Sequence, residues 1–184
     1  SVCTISGGSV SYIGVGNCVV LANQQGNAQF NAASQVTQMF SVAKGVQMIS
    51  FTSTAPSGAQ VGGSTYAASA ISSAGLPVTI TVAPSSASVC MVSGNIVSFT
   101  GSGTCVLYGD QVGDSNYLAA ARTQQSFGVG LQLQTISFLS TAPLTATFGG
   151  SGYTPLASSS SGLTVEITTA TNAVCTISSG TVSF

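Results

Sequence analysis

Ionisable side chains are almost missing from this sequence. They occupy 3% of its 184 positions, against about a quarter in ordinary soluble domains. Lys44, Arg122, Asp110, Asp114 and Glu166 are the whole set, and histidine and tryptophan do not occur. Without histidine, a Ser-His or Cys-His nucleophilic pair has no base. With two basic residues and a net charge of −1, no surface can track phosphates, because nucleic-acid affinity is built largely from Lys and Arg contacts. A nucleic-acid partner is therefore excluded. No apolar run approaches the ~18 residues of a membrane span; the longest, such as Cys18–Ala22, have the length of a strand. Helical periodicity is missing as well.

What remains is 44% hydrophobic residues, enough to build a core, diluted mainly by Ser, Thr, Gly, Asn and Gln. A surface so poor in charge sets up little repulsion between copies, and its edge strands lack the lysines that discourage sheet-to-sheet pairing. Two readings follow: a chain suited to association in a dense layer, or a neutral, hydroxyl-rich monomer.

The organisation is set by an internal repeat. Residues 2–43 align without gaps on 89–130, at an offset of 87, so that Cys3 falls with Cys90, Cys18 with Cys105 and Phe40 with Phe127. Residues 49–80 align on 136–167 at the same offset, bringing together Thr54-Ala55-Pro56 and Thr141-Ala142-Pro143, and Tyr66 and Tyr153. From Cys90 to Cys175 the spacing is 85. A period of about 86 residues fits one small domain per repeat rather than a solenoid unit.

The phase matters too. SVCTISGGSVSY at 1–12 and AVCTISSGTVSF at 173–184 are the same stretch two periods apart. The expected organisation is the C-terminal part of one domain at 1–43, a complete domain at 44–130 and the N-terminal part of the next at 131–184. Half a domain exposes its inner face, so the molecule is expected to continue on both sides, or copies to complete one another end to end.

Within the middle repeat, Gln47–Ser53, Thr65–Ser72, Val78–Val82, Val89–Ser93, Ile96–Thr100, Thr104–Gly109 and Thr123–Val129 carry strand patterning, with strict alternation of β-branched residues in Val78–Val82. Gly, Ser, Asn and Pro supply the turns between them. Short strands at this spacing bury their apolar faces best as two packed sheets, with a closed barrel as the second choice. The expected fold class is all-β, as tandem sandwiches.

Each repeat carries two cysteines with fourteen residues between them, Cys3 with Cys18 and Cys90 with Cys105; the same spacing would put a partner for Cys175 near position 190, leaving it unpaired here. Zinc wants four Cys or His ligands, and a repeat offers two. Paired cysteines point to disulfides and an oxidising compartment; buried free thiols are the alternative. One strand separates the two cysteines of a pair. In a single sheet the outer strands would lie about 9–10 Å apart, while a disulfide needs Cα atoms within about 7 Å. The two cysteine strands are therefore expected in opposite sheets, or the bridge at a fraying end.

At the end of each repeat stand Leu21-Ala-Asn-Gln-Gln-Gly-Asn-Ala-Gln-Phe30 and Tyr108-Gly-Asp-Gln-Val-Gly-Asp-Ser-Asn-Tyr117, each followed by a strand ending in Phe40–Val42 or Phe127–Val129. This pattern resembles the closing segment of bacterial immunoglobulin-like domains, in which a Gly-Asp/Asn-x-x-Tyr turn precedes the last strand. The resemblance implies tandem immunoglobulin-like β-sandwiches in large secreted or surface proteins, acting as stalks, spacers or adhesive modules at the cell surface or outside the cell. Partners would be other copies or adjacent repeats joined end to end, with surface glycans as an alternative.

Candidate chemistry is thin, and catalysis is not expected. A Ser-Lys pair would have to use Lys44, whose counterpart is Leu131. Asp110 and Asp114 have the oxygen ligands a calcium ion wants, yet their counterparts are Asn23 and Asn27, which suits turns closed by Asx side chains. Glu166 matches Thr79 and is expected on a strand. No catalytic, cofactor-binding or metal residue is assigned.

Overall fold

The computed structural model describes Ser1–Phe184. It is all-β, with one 3-10 turn at Pro84–Ser86, and divides into two compact units, Ser1–Leu131 and Gln132–Phe184. No helix is long and apolar enough to cross a membrane.

The first unit opens with the antiparallel hairpin of β1 (Cys3–Ser6) and β2 (Ser9–Tyr12), followed by β3 (Gly16–Ala22) and β4 (Val36–Val42), which pair only with each other. Gly7 and Gly8 turn the hairpin at φ 57° and 82°, a conformation that costs glycine least and suits the twist of the flanking strands.

Residues 44–130 hold β5 (Ile49–Phe51), β6 (Ala59–Gln60), β7 (Tyr66–Ala67), β8 (Ala70–Ser72), β9 (Thr79–Val82), β10 (Cys90–Ser93), β11 (Ile96–Phe99), β12 (Gly103–Asp110) and β13 (Thr123–Gly130). A four-stranded sheet runs β6-β13-β12-β9 and a three-stranded one runs β10-β11-β7, while β5 and β8 form a separate pair. All ladders are antiparallel except β13 with β6. Alternation aims Cys105 and Leu107 of β12, Phe127 and Val129 of β13, and Val97 and Phe99 of β11 into one core. Val97, Cys105 and Leu107 are fully buried. Phe127 meets Tyr66 and Phe99 edge to face, with centroids 5.6 and 5.9 Å apart, a geometry that aromatic quadrupoles favour. Two sheets thus stack over a single core, and neither closes into a barrel.

Two local expectations need correction. The stretch 65–72 is not one strand. Its first half pairs with β11 and its second with β5, because at Ala68, wholly buried, the chain leaves one ladder for the other. The short β6 lies between the expected strands Gln47–Ser53 and Thr65–Ser72, where none is expected; two residues beside an edge have no periodicity to detect.

The second unit holds β14 (Ile136–Phe138) paired with β15 (Ala157–Ser159), and β16 (Thr176–Ser178) paired with β17 (Thr181–Ser183). Its registers repeat those of the first unit: Ile136 opposes Ser159 as Ile49 opposes Ser72. Glu166 does not lie on a strand. The corresponding β9 is held by β12, and the second unit has no strand in that role.

Candidate functional site

The cysteines form two equivalent staples. Cys3 bonds Cys18 and Cys90 bonds Cys105, with Cα atoms 5.6 and 5.8 Å apart. Cys90 lies on β10 and Cys105 on β12, strands of different sheets, so the second bridge crosses the core. In each case the hairpin register places an aromatic opposite the first cysteine, Tyr12 opposite Cys3 and Phe99 opposite Cys90. Another aromatic opposes the second cysteine: Phe40 opposite Cys18 and Phe127 opposite Cys105. The rings meet edge to face at 5.9 Å in both copies. Cys175 is a free, half-buried thiol, hydrogen-bonded to the hydroxyls of Thr169 and Thr171. Those bonds, Thr169's first, hold its pKa below the ordinary thiol value.

Asp114 and Asp110 serve as structural clips. The Asp114 carboxylate accepts the backbone N–H of Asn116 and of Tyr117, each at 2.8 Å. Asn27 accepts those of Gln29 and Phe30 at 2.8 and 3.0 Å. The glycine one residue before is required: Gly113 has φ 80°, and a Cβ there would sit 2.5 Å from the Tyr117 carbonyl oxygen. Asp110 receives the Arg122 guanidinium at 2.8 Å, while the guanidinium also stacks over Tyr108 at 4.5 Å. Hydrogen bonding to Asp110 raises the Arg122 pKa above its ordinary value. The counterpart pair is neutral, with Gln35 donating to Asn23 at 2.8 Å. Charge at this position is thus interchangeable with an amide–amide hydrogen bond of equal length, a signature of a cross-strand clip.

A buried amide network escapes sequence reasoning. Gln47 donates to Gln111 Oε1 at 2.6 Å and to the Leu118 carbonyl at 2.7 Å, and its own Oε1 accepts from Ser72 at 2.6 Å. Tyr66 donates to Gln125 at 2.7 Å, and Gln125 donates to the Ser53 carbonyl at 2.8 Å. Because a buried polar group left unpaired costs about 1–3 kcal/mol, these contacts tie the first strands of the domain to its last ones in a single register. The recurrence of glutamine at 24 and 111, and at 47 and 134, is the signal in the sequence.

Within the first unit, Lys44 donates through Nζ to the Asp114 carbonyl. Gly45 exchanges backbone bonds of 2.8 and 2.9 Å with Asn116 and Leu118. A shallow cleft of about 250 Å³ lies between Tyr12, Val42 and Tyr117, below the range typical of small-molecule sites. Glu166 belongs to the second unit, Asp110 and Asp114 to the first. Nowhere do three metal-ligating side chains converge. Comparison with protein-family models, with curated proteins and with solved structures finds no match for this chain.

Proposed function

We propose that this chain is a structural segment of an extracellular fibre or surface stalk, assembled from tandem immunoglobulin-like β-sandwiches, each pinned by its own disulfide. One observation carries the reading: the staple, its two opposing aromatics and the Asx-closed turn recur in the same register one period apart. A device repeated so closely, while Asp becomes Asn and Arg becomes Gln around it, is maintained for the shape of the unit. The bridges favour an oxidising location outside the cytosol. Closing a loop of this size stabilises a small domain by about 3 kcal/mol in the chain-entropy model, a large share of the typical total of roughly 5–15 kcal/mol.

The second reading is an adhesion module whose units present a face or loop set to a cell surface or glycan. Exposed apolar side chains such as Val112 in the loop after β12, 87% exposed, favour it. Electron microscopy of native material separates the two. A fibre gives regular filaments without added ligand, with an axial repeat of one or two domains; an adhesin gives monomeric rods that retain binding to cells or sugars. Isolated particles that neither join nor bind overturn both.

A further inference from the structure

An endoprotease that cuts after Lys or Arg finds two bonds to attack in this chain, Lys44–Gly45 and Arg122–Thr123, because no other basic residue occurs. One period away the counterparts of Lys44 and Arg122 are Leu131 and Gln35, which such an enzyme passes over. The place of each bond in the fold decides whether it is open to attack.

An enzyme of this class seats the basic side chain in an acidic pocket. It also takes the flanking residues as an extended strand, whose main-chain groups bond to the cleft. The side chains meet the first requirement. Lys44 is exposed, and Arg122 is 57% exposed despite its ion pair with Asp110. Exposed contacts of this kind hold weakly, so neither side chain is withheld from a pocket.

The backbone is withheld. Gly45 N–H donates to the Asn116 carbonyl at 2.8 Å, and the Gly45 carbonyl accepts from Leu118 N–H at 2.9 Å. The Tyr117 ring covers Gly45 so closely that a Cβ there would lie 3.1 Å from two ring carbons. Before the bond, Val42 opposes Gly16 in the β3–β4 ladder. After it, Gln47 is buried and donates to Gln111 and Leu118. Arg122–Thr123 is flanked in the same way. Ala120 N–H donates to the Gln111 carbonyl at 2.9 Å, and Thr123 opposes Gly109 at the start of the β12–β13 ladder. Drawing either segment into a cleft breaks pairings on both sides of the scissile bond, and at Gln47 it also unpairs buried amides, which is costly.

We propose that these pairings shelter both bonds, so that a Lys/Arg-directed protease cuts only molecules in which they have opened. The scarcity of basic residues and the placement of the two that remain act together. They give the folded segment resistance to this class of enzyme, a property that goes beyond the structural-repeat reading and serves a fibre and an adhesin alike.

The test is trypsin digestion of the purified, oxidised 184-residue chain, followed by mass spectrometry. Reduced, alkylated and unfolded, the chain should yield 1–44, 45–122 and 123–184. Folded, it should keep its 18.1 kDa mass, with both bonds cut about a thousandfold more slowly, because cleavage of a folded chain tracks the population of its open form. Asp110→Asn releases Arg122 from its ion pair and should speed cleavage there by no more than about fivefold. Gln47→Ala loosens the segment after Lys44 and should speed cleavage at that bond roughly five- to hundredfold. Cutting of the folded chain after Lys44 or Arg122 at a rate close to that of the unfolded chain, with circular dichroism unchanged, overturns the proposal. So does a folded Gln47→Ala chain cut no faster than the parent, or a folded Asp110→Asn chain cut at the unfolded rate. None of these outcomes bears on whether the repeats build a fibre.

Discussion

The β12–β13 and β3–β4 pairs share alternation, a stapled cysteine and the register of seven opposed residue pairs, but not their surroundings. In β12–β13 the inward side chains meet two further strands at the edges and a second sheet across the core, and Leu107 is fully buried. In β3–β4 the counterpart Val20 is only half-buried, and the hairpin folded over it is held by the disulfide and one aromatic contact. Similar local sequence therefore ends in unequal burial, because burial depends on what is laid over a strand.

The comparison is most easily broken by truncating the core. Leu107→Ala should destabilise the 44–130 domain by about 2–5 kcal/mol, the range for a buried leucine that leaves a cavity, and Val20→Ala should cost much less. Chemical denaturation followed by segment-resolved hydrogen exchange checks both, and equal losses would mean that β3–β4 is as well covered as β12–β13. Amides of β12 should exchange about a hundredfold more slowly than those of β3, equivalent to roughly 3 kcal/mol in opening free energy. Removing the core-crossing bridge as Cys90→Ala with Cys105→Ala should lower stability by about 3 kcal/mol, read as a shift in denaturation midpoint.

Smaller changes sharpen the contrast. Gln47→Ala removes the bonds to Gln111, Leu118 and Ser72 in a buried setting and should cost about 1–3 kcal/mol. The matching Gln134→Ala, at an exposed position, should leave the second unit within about 0.5 kcal/mol of its starting stability. Arg122→Gln installs the residue found at position 35 and should also stay within about 0.5 kcal/mol, since the ion pair it removes is exposed. A larger loss would assign Asp110 and Arg122 a role beyond clipping two strands.

Much of this was legible in the residues. Alternation in 78–82 and 123–129 marks strands, and the Asn27 and Asp114 positions announce turns closed by their own side chains. The pairing of Asp110 with Arg122, and of Asn23 with Gln35, was not legible, because each pair joins residues twelve positions apart across a loop whose path no periodicity describes. The Gln47–Gln111 bond is less visible still: an amide in a strand pattern reads as a surface residue until a partner 64 positions away is brought to it.

The sequence by itself determined the repeat, its phase, the spacing of the staples and the alternation that assigns each side chain to a face; all are local or periodic properties. Tertiary structure alone decided which stretches became strands and which apolar faces were buried. Thr79–Val82 and 166–169 occupy the same place in the repeat, yet only the first is a strand. The physical reason is that a strand's hydrogen bonds are made to another segment, so its own pattern does not settle its pairing.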